Sequence, residues 1–167
     1  PLYSSAASDV YKRQLWVNLS EECVTGMHWG CWDGFSAPTL VRNAEADLKI
    51  YGIDLGEQFE LGFMIDNDTG GLNLSMTITA GPNGVRVTDP EEFTPDEWVH
   101  VAATTDGGQV RLYKNGELVG VTDYLDSINA PDVNYLSIGA VLEEVDGEMY
   151  PSENNPNFFT GQLDDLA

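Results

Sequence analysis

The chain has 167 residues, 42% of them hydrophobic and 21% charged, which is room for one ordinary globular domain and argues against disorder. Asp and Glu number 28 against 7 Lys and Arg, and this net charge of −21 speaks against nucleic acid and anionic membranes as partners, both of which need basic surface. No apolar run approaches the roughly 18 residues of a membrane span, so no membrane insertion is expected, and the 17 Gly and 8 Pro spread along the chain favour many short elements with tight turns.

Residues 1–14, PLYSSAASDVYKRQ, lack the apolar stretch of a signal peptide. They resemble the translation of a sequencing-library adapter found at the ends of reading frames assembled from environmental DNA. On that reading, residues 1–14 are a non-native tail and the domain is 15–167, truncated at both ends. Removing Asp9, Lys12 and Arg13 hardly changes the charge, so the acidity belongs to the domain itself.

Strand signals follow in chain order. Leu15 to Leu19 is short and apolar, and Thr39-Leu40-Val41 and Leu48 to Tyr51 are further candidates. Phe59 to Ile65 stops at Asp66-Asn67-Asp68-Thr69-Gly70-Gly71, a strong turn cluster. Leu72 to Thr79 alternates at period two, with Leu72, Leu74, Met76 and Ile78 on one face. Val85 to Thr88 follows a Gly-Pro-Asn-Gly turn. Trp98 to Thr105 ends at Asp106-Gly107-Gly108. Val110 to Lys114 and Glu117 to Val121 flank Asn115-Gly116, the strongest short hairpin signal, because its turn needs positive φ at both central positions. Tyr135 to Gly139 and Phe158 to Leu163 close the series, with a long acidic loop, Glu143 to Asn157, between them. No segment carries a helical stripe. About ten strands in one domain predict an all-β, two-sheet antiparallel sandwich.

Three stretches carry a family resemblance. Pro95-Asp96-Glu97-Trp98-Val99-His100-Val101-Ala102 matches a W-x-H-V-A strand after a polar turn. Leu112-Tyr113-Lys114-Asn115-Gly116-Glu117-Leu118-Val119 matches an L-Y-x-[ND]-G-x-x-V hairpin. Leu136-Ser137-Ile138-Gly139 with Phe159-Thr160-Gly161-Gln162-Leu163-Asp164-Asp165-Leu166 matches the closing L-x-I-G … F-x-G-x-[IL]-D-[DE]-[VL] pattern. Together they resemble the laminin G-like, or concanavalin A-like, jelly-roll family. The family's opening strand and the end of its final strand are absent from the expected alignment. The fold hosts lectins, adhesion modules, binding appendages and glycosidases, so it does not by itself give the function.

Glu144-Val145-Asp146-Gly147-Glu148 resembles the E-[ILV]-D-x-E motif of laminarinase-type hydrolases of this fold, in which one strand presents three carboxylates. Here Gly147 replaces an apolar residue and the motif falls in the acidic loop. A solvated loop is the plainer reading, and no catalytic residue is expected. No nucleophile–base pair, HExxH or phosphate-cradling Gly loop is present either. Calcium suits the clustered oxygens better, with Asp66, Asp68 and the Glu143 to Glu148 stretch as candidate ligands. The resemblance adds Asp164, whose counterpart in the family often helps bind a structural calcium; the plainer reading is a turn-capping carboxylate. Cys23 and Cys31 are the only cysteines, and a disulfide between them would imply an oxidising compartment. Unpaired thiols are the alternative. Trp29 and Trp32 flank Cys31 and could stack on a sugar's C–H face, with Asp33, Asn43 or His28 as hydroxyl partners, or could plug the loop onto the sandwich. His100 reads as a packed structural residue. Asn18, Asn67 and Asn73 each begin N-x-[ST].

The expected function is a non-catalytic extracellular or cell-surface recognition module. It would bind a glycan or an extracellular protein as part of a larger chain with neighbouring domains. A glycoside hydrolase fragment and a structural spacer are the alternatives.

Overall fold

The computed structural model describes residues 11–20, 39–43, 59–66, 68–69, 71–78, 84–124, 136–140, 142–146, 148–151 and 158–167. Two five-stranded antiparallel sheets face each other. The first contains β1 (Tyr11–Leu19), β6 (Trp98–Thr105), β7 (Gln109–Lys114), β8 (Glu117–Asp123) and β12 (Gly161–Asp164), in the order β12-β1-β6-β7-β8. The second contains β2 (Thr39–Asn43), β3 (Phe59–Ile65), β4 (Leu72–Ile78), β5 (Val85–Glu92) and β9 (Leu136–Ile138), in the order β5-β4-β3-β2-β9. A separate hairpin is formed by β10 (Leu142–Val145) and β11 (Glu148–Pro151). No helix occurs among the described residues. The described strands form the all-β, two-sheet antiparallel sandwich that the sequence predicts.

Alternation along each strand builds the core. Leu15, Val17 and Leu19 of β1 and Val99, Val101 and Ala103 of β6 point inward from the first sheet. They meet Phe59, Leu61 and Phe63 of β3 and Leu72, Leu74, Met76 and Ile78 of β4 from the second. The period-two reading of β4 is thus borne out, and Asn73 and Ser75 between those residues are buried as well. The Asn115-Gly116 turn has φ of 52° and 82°, the double positive φ its residues predict. The Asn115 N–H donates to the His100 carbonyl at 2.7 Å, and Asn115 Oδ1 accepts the His100 N–H at 2.9 Å, so the turn clasps β6.

Three expectations change. The acidic loop from Glu143 contains the β10–β11 hairpin, with Val145 opposite Glu148. Asp146, at φ 55°, starts its two-residue Asp-Gly connection, a hairpin signal hidden among acids. β5 runs on through Pro90 to Glu92. It is the edge strand of its sheet, where a missing N–H is tolerated. Finally, no element boundary falls at Leu15: Tyr11 to Gln14 form the start of β1, paired with Thr105 to Ala102 of β6. The strand candidate Leu48 to Tyr51 lies outside the described residues.

Candidate functional site

Because Val99 and Val101 point inward, Trp98 and His100 point outward from β6. The same alternation turns Trp16 and Asn18 outward from β1. Register brings them into two rows across the first sheet. One row is Asp164, Trp16, His100; the other is Gln162, Asn18, Trp98. The Trp16 and His100 rings meet edge to face, 5.3 Å apart at an angle of 61°. Trp16 and Trp98 are therefore diagonal neighbours, and they remain 39% and 45% exposed. Two large indoles standing on regular strands, with amide, carboxylate and imidazole groups beside them, form an aromatic surface with a polar surround.

The same face carries an ion pair beyond the aromatic rows. The Gly108 and Gln109 N–H groups donate to Asp106 Oδ1, each at 3.0 Å, and Arg111 Nη1 donates to Asp106 Oδ2 at 2.7 Å. The guanidinium, then the Gln109 and Gly108 amides, hold the Asp106 carboxyl at about 2, below its ordinary 3.8. Arg111 also donates to Gln109 Oε1 at 2.8 Å. Its charge is committed within the protein.

Of the expected site residues, Asp66, Asp68 and Asp164 are described. Asp66 Oδ1 accepts the N–H groups of Asp68 at 2.8 Å and Thr69 at 3.2 Å, which caps the turn after β3. Asp164 lies on the other sheet, exposed, and its Oδ1 accepts the Asp165 N–H at 2.9 Å. Among the described residues no group of three or more His, Cys, Asp or Glu side chains could hold a metal ion. Cys23, His28, Trp29, Cys31, Trp32 and Asp33 lie outside the described residues. Asn43 lies in β2, opposite Phe59 and Leu136. Asn73 is buried and its Nδ2 donates to the Asp89 carbonyl at 3.0 Å, so its N-x-[ST] site is inaccessible in the folded domain. The stretch Glu144 to Glu148 crosses the β10–β11 turn and does not form one strand. Trp16 and Trp98 were missed as surface residues, although the alternation around them carries the signal.

The laminin G-type family model described as Concanavalin A-like lectin/glucanases superfamily matches residues 36–167. The chain belongs to this superfamily. Its solved structural neighbours are distant in sequence. A native heptameric SAP-like pentraxin from Limulus polyphemus is 17% identical, with a TM-score of 0.54, over 94% of this chain and 61% of that one. The CBM40 of the Ruminococcus gnavus IT-sialidase, bound to α2,3-sialyllactose, is 14% identical, with a TM-score of 0.60, over 93% of this chain and 72% of that one. Domain 4 of an extracellular arabinanase from Geobacillus stearothermophilus, in complex with arabinotriose, is 18% identical, with a TM-score of 0.56, over 95% of this chain and 59% of that one. This superfamily member thus spans less than two thirds of the pentraxin and arabinanase-domain chains. No curated protein sequence matches it.

Proposed function

We propose that this domain is a carbohydrate-binding module without catalytic activity of its own, working as part of a larger secreted or cell-surface protein. Two of its structural neighbours were solved with a bound sugar, which supports a glycan as the partner class. The observation that carries the non-catalytic reading is the turn at Asp146. A retaining glycosidase needs two carboxyl groups about 5–5.5 Å apart across the scissile bond, on a scaffold that holds them there. The hydrolase-like motif instead bends through a hairpin connection outside both main sheets.

The loop of Trp29 and Trp32 is a proposed contact on its sequence alone, as is a Cys23–Cys31 disulfide, which thiol titration of the denatured, unreduced protein would test. Structural calcium with Asp164 rests on the resemblance alone, and a greater rise in melting temperature with calcium than with magnesium would support it. The function itself is tested by titrating polysaccharides and their oligosaccharides into the protein by calorimetry, with a parallel assay for released reducing ends. Binding without hydrolysis is the expected result. Hydrolysis that disappears in Glu148→Gln would replace this reading with an enzyme.

A further inference from the structure

We propose that the outer face of the first sheet, at Trp16, His100 and Trp98, is the glycan-binding surface, and that its ligand is an uncharged oligosaccharide of at least two sugar units. The inference rests on the carbohydrate-binding reading and adds the place and the ligand class.

A sugar ring offers a C–H face that packs on an aromatic ring and a rim of hydroxyls that both donate and accept hydrogen bonds. The two rows supply both. Trp16 and Trp98 give adjacent, partly exposed indoles; Asn18, Gln162 and His100 give donors and acceptors, and Asp164 gives an acceptor. Diagonal neighbours on paired strands stand about 7–8 Å apart, so the two indoles address successive rings and not one. The residues sit on hydrogen-bonded strands, and the Asn115 clasp fixes His100, so little ordering is needed on binding.

Charge selects among sugars. Glu97, next to Trp98 in sequence, and Asp164, opposite Trp16, are exposed carboxylates on a chain of net charge −21. The cations on this face, Lys12 and Arg111, belong to a row two residues further along the strands from Gln14, and Arg111 is paired with Asp106. A sialylated, uronate or sulfated glycan would meet repulsion at the indoles. A neutral one meets none.

The experiment titrates the full chain with two panels, neutral oligosaccharides of two to six units and anionic ones of the same length, by calorimetry. The native protein should bind at least one neutral oligosaccharide in the micromolar to millimolar range. Trp98→Ala and Gln162→Ala should weaken it by roughly tenfold or more, while Tyr150→Ala, an exposed aromatic on the separate β10–β11 hairpin, leaves it unchanged. Melting curves check that each variant is folded; if Trp98→Ala is not, Gln162→Ala and Asp164→Asn decide. Retained affinity in folded variants of this face overturns the placement and leaves the module reading standing. Binding of anionic glycans alone overturns the ligand class. A change in oligomeric state without a change in sugar affinity makes the face a contact between copies and overturns the proposal. Absence of binding to either panel overturns both this inference and the carbohydrate-binding reading.

Discussion

Lys114 at the end of β7 reaches across the sandwich to Asp89 of β5, its Nζ 2.5 Å from Oδ2, and so ties one sheet to the other. The Asp89 side chain is 2% exposed and its Oδ1 accepts the Glu91 N–H at 3.0 Å. No other described donor serves Oδ2. The lysine also lies 3.7 Å from Glu91 Oε2, an exposed group that contributes little. Removing the cation alone strands a buried carboxylate. Lys114→Met should therefore cost about 3–5 kcal/mol, read as a lower urea midpoint. The double variant Lys114→Met/Asp89→Leu should recover most of that loss, because an apolar pair needs no compensation. Equal loss in single and double variants would show that packing, not charge, sets the cost.

A second charge effect is visible in acid. Asp106 is held at about 2 by Arg111 and two backbone N–H groups, against an ordinary 3.8. A carboxylate whose folded value is depressed stabilises the fold fully above the unfolded value and loses that contribution as pH falls through the folded one. The expected window is thus between about 4 and 2. Carboxyl titration followed by nuclear magnetic resonance should find Asp106 the last of its neighbours to protonate. Arg111→Gln should raise its value without fully restoring it, since the Gly108 and Gln109 amides remain.

Gly161 is constrained by its neighbour strand. Its φ is 151°, and a Cβ there would collide with the Asn18 carbonyl oxygen and lie 2.8 Å from the Phe159 ring. Backbone cannot yield as a flexible side chain can. Gly161→Ala should cost about 3 kcal/mol and detach β12 from β1, lowering the melting temperature. It should also weaken sugar binding at the proposed surface, because Gln162 and Asp164 ride on the same strand. An alanine variant as stable as the native protein would contradict the close approach.

The sandwich was legible because its signals are local and repeated. Trp98 to Val121 declares strand, turn, strand, turn, strand through alternation and one Asn-Gly pair. The β10–β11 hairpin was not, because five acids from Glu143 to Glu153 make a strand pair look like solvated loop. Its Asp146-Gly147 pair carried the same physical signal as Asn115-Gly116, at lower contrast. Trp16 and Trp98 were legible as motif residues and overlooked as surface. Once Val99 and Val101 are assigned to the core, the residues between them must face out. The Lys114–Asp89 tie was beyond reach, since 25 residues and a change of sheet separate the partners and nothing local couples them.

Of the adapter-like stretch, Tyr11 to Gln14 take part in the fold, whatever their origin. Arg13 and Gln14 pair with Ala103 and Ala102 of β6. Gln14 also exchanges two backbone hydrogen bonds with Ala167, at 2.9 and 3.0 Å, which joins the start of the first strand to the end of the chain. The Arg13 guanidinium lies 5.2 Å from the centre of the Phe59 ring, a cation–π contact from one sheet to the other. Each hydrogen bond is worth about 1 kcal/mol net, and the ring contact about 0.5–1 kcal/mol or more. Deleting residues 1–14 should therefore lower stability by about 2 kcal/mol or more, although Leu15 onward keeps every inward-facing apolar residue of β1. Replacing Tyr11 to Gln14 by an unrelated strand-forming sequence, Thr-Lys-Thr-Thr, which puts no cation at position 13, separates two causes. The backbone hydrogen bonds return and the cation–π contact does not, so most of the loss should be recovered. Melting curves of the two variants give the answer. A deletion variant with native stability would mean that these four residues add strand length without energy.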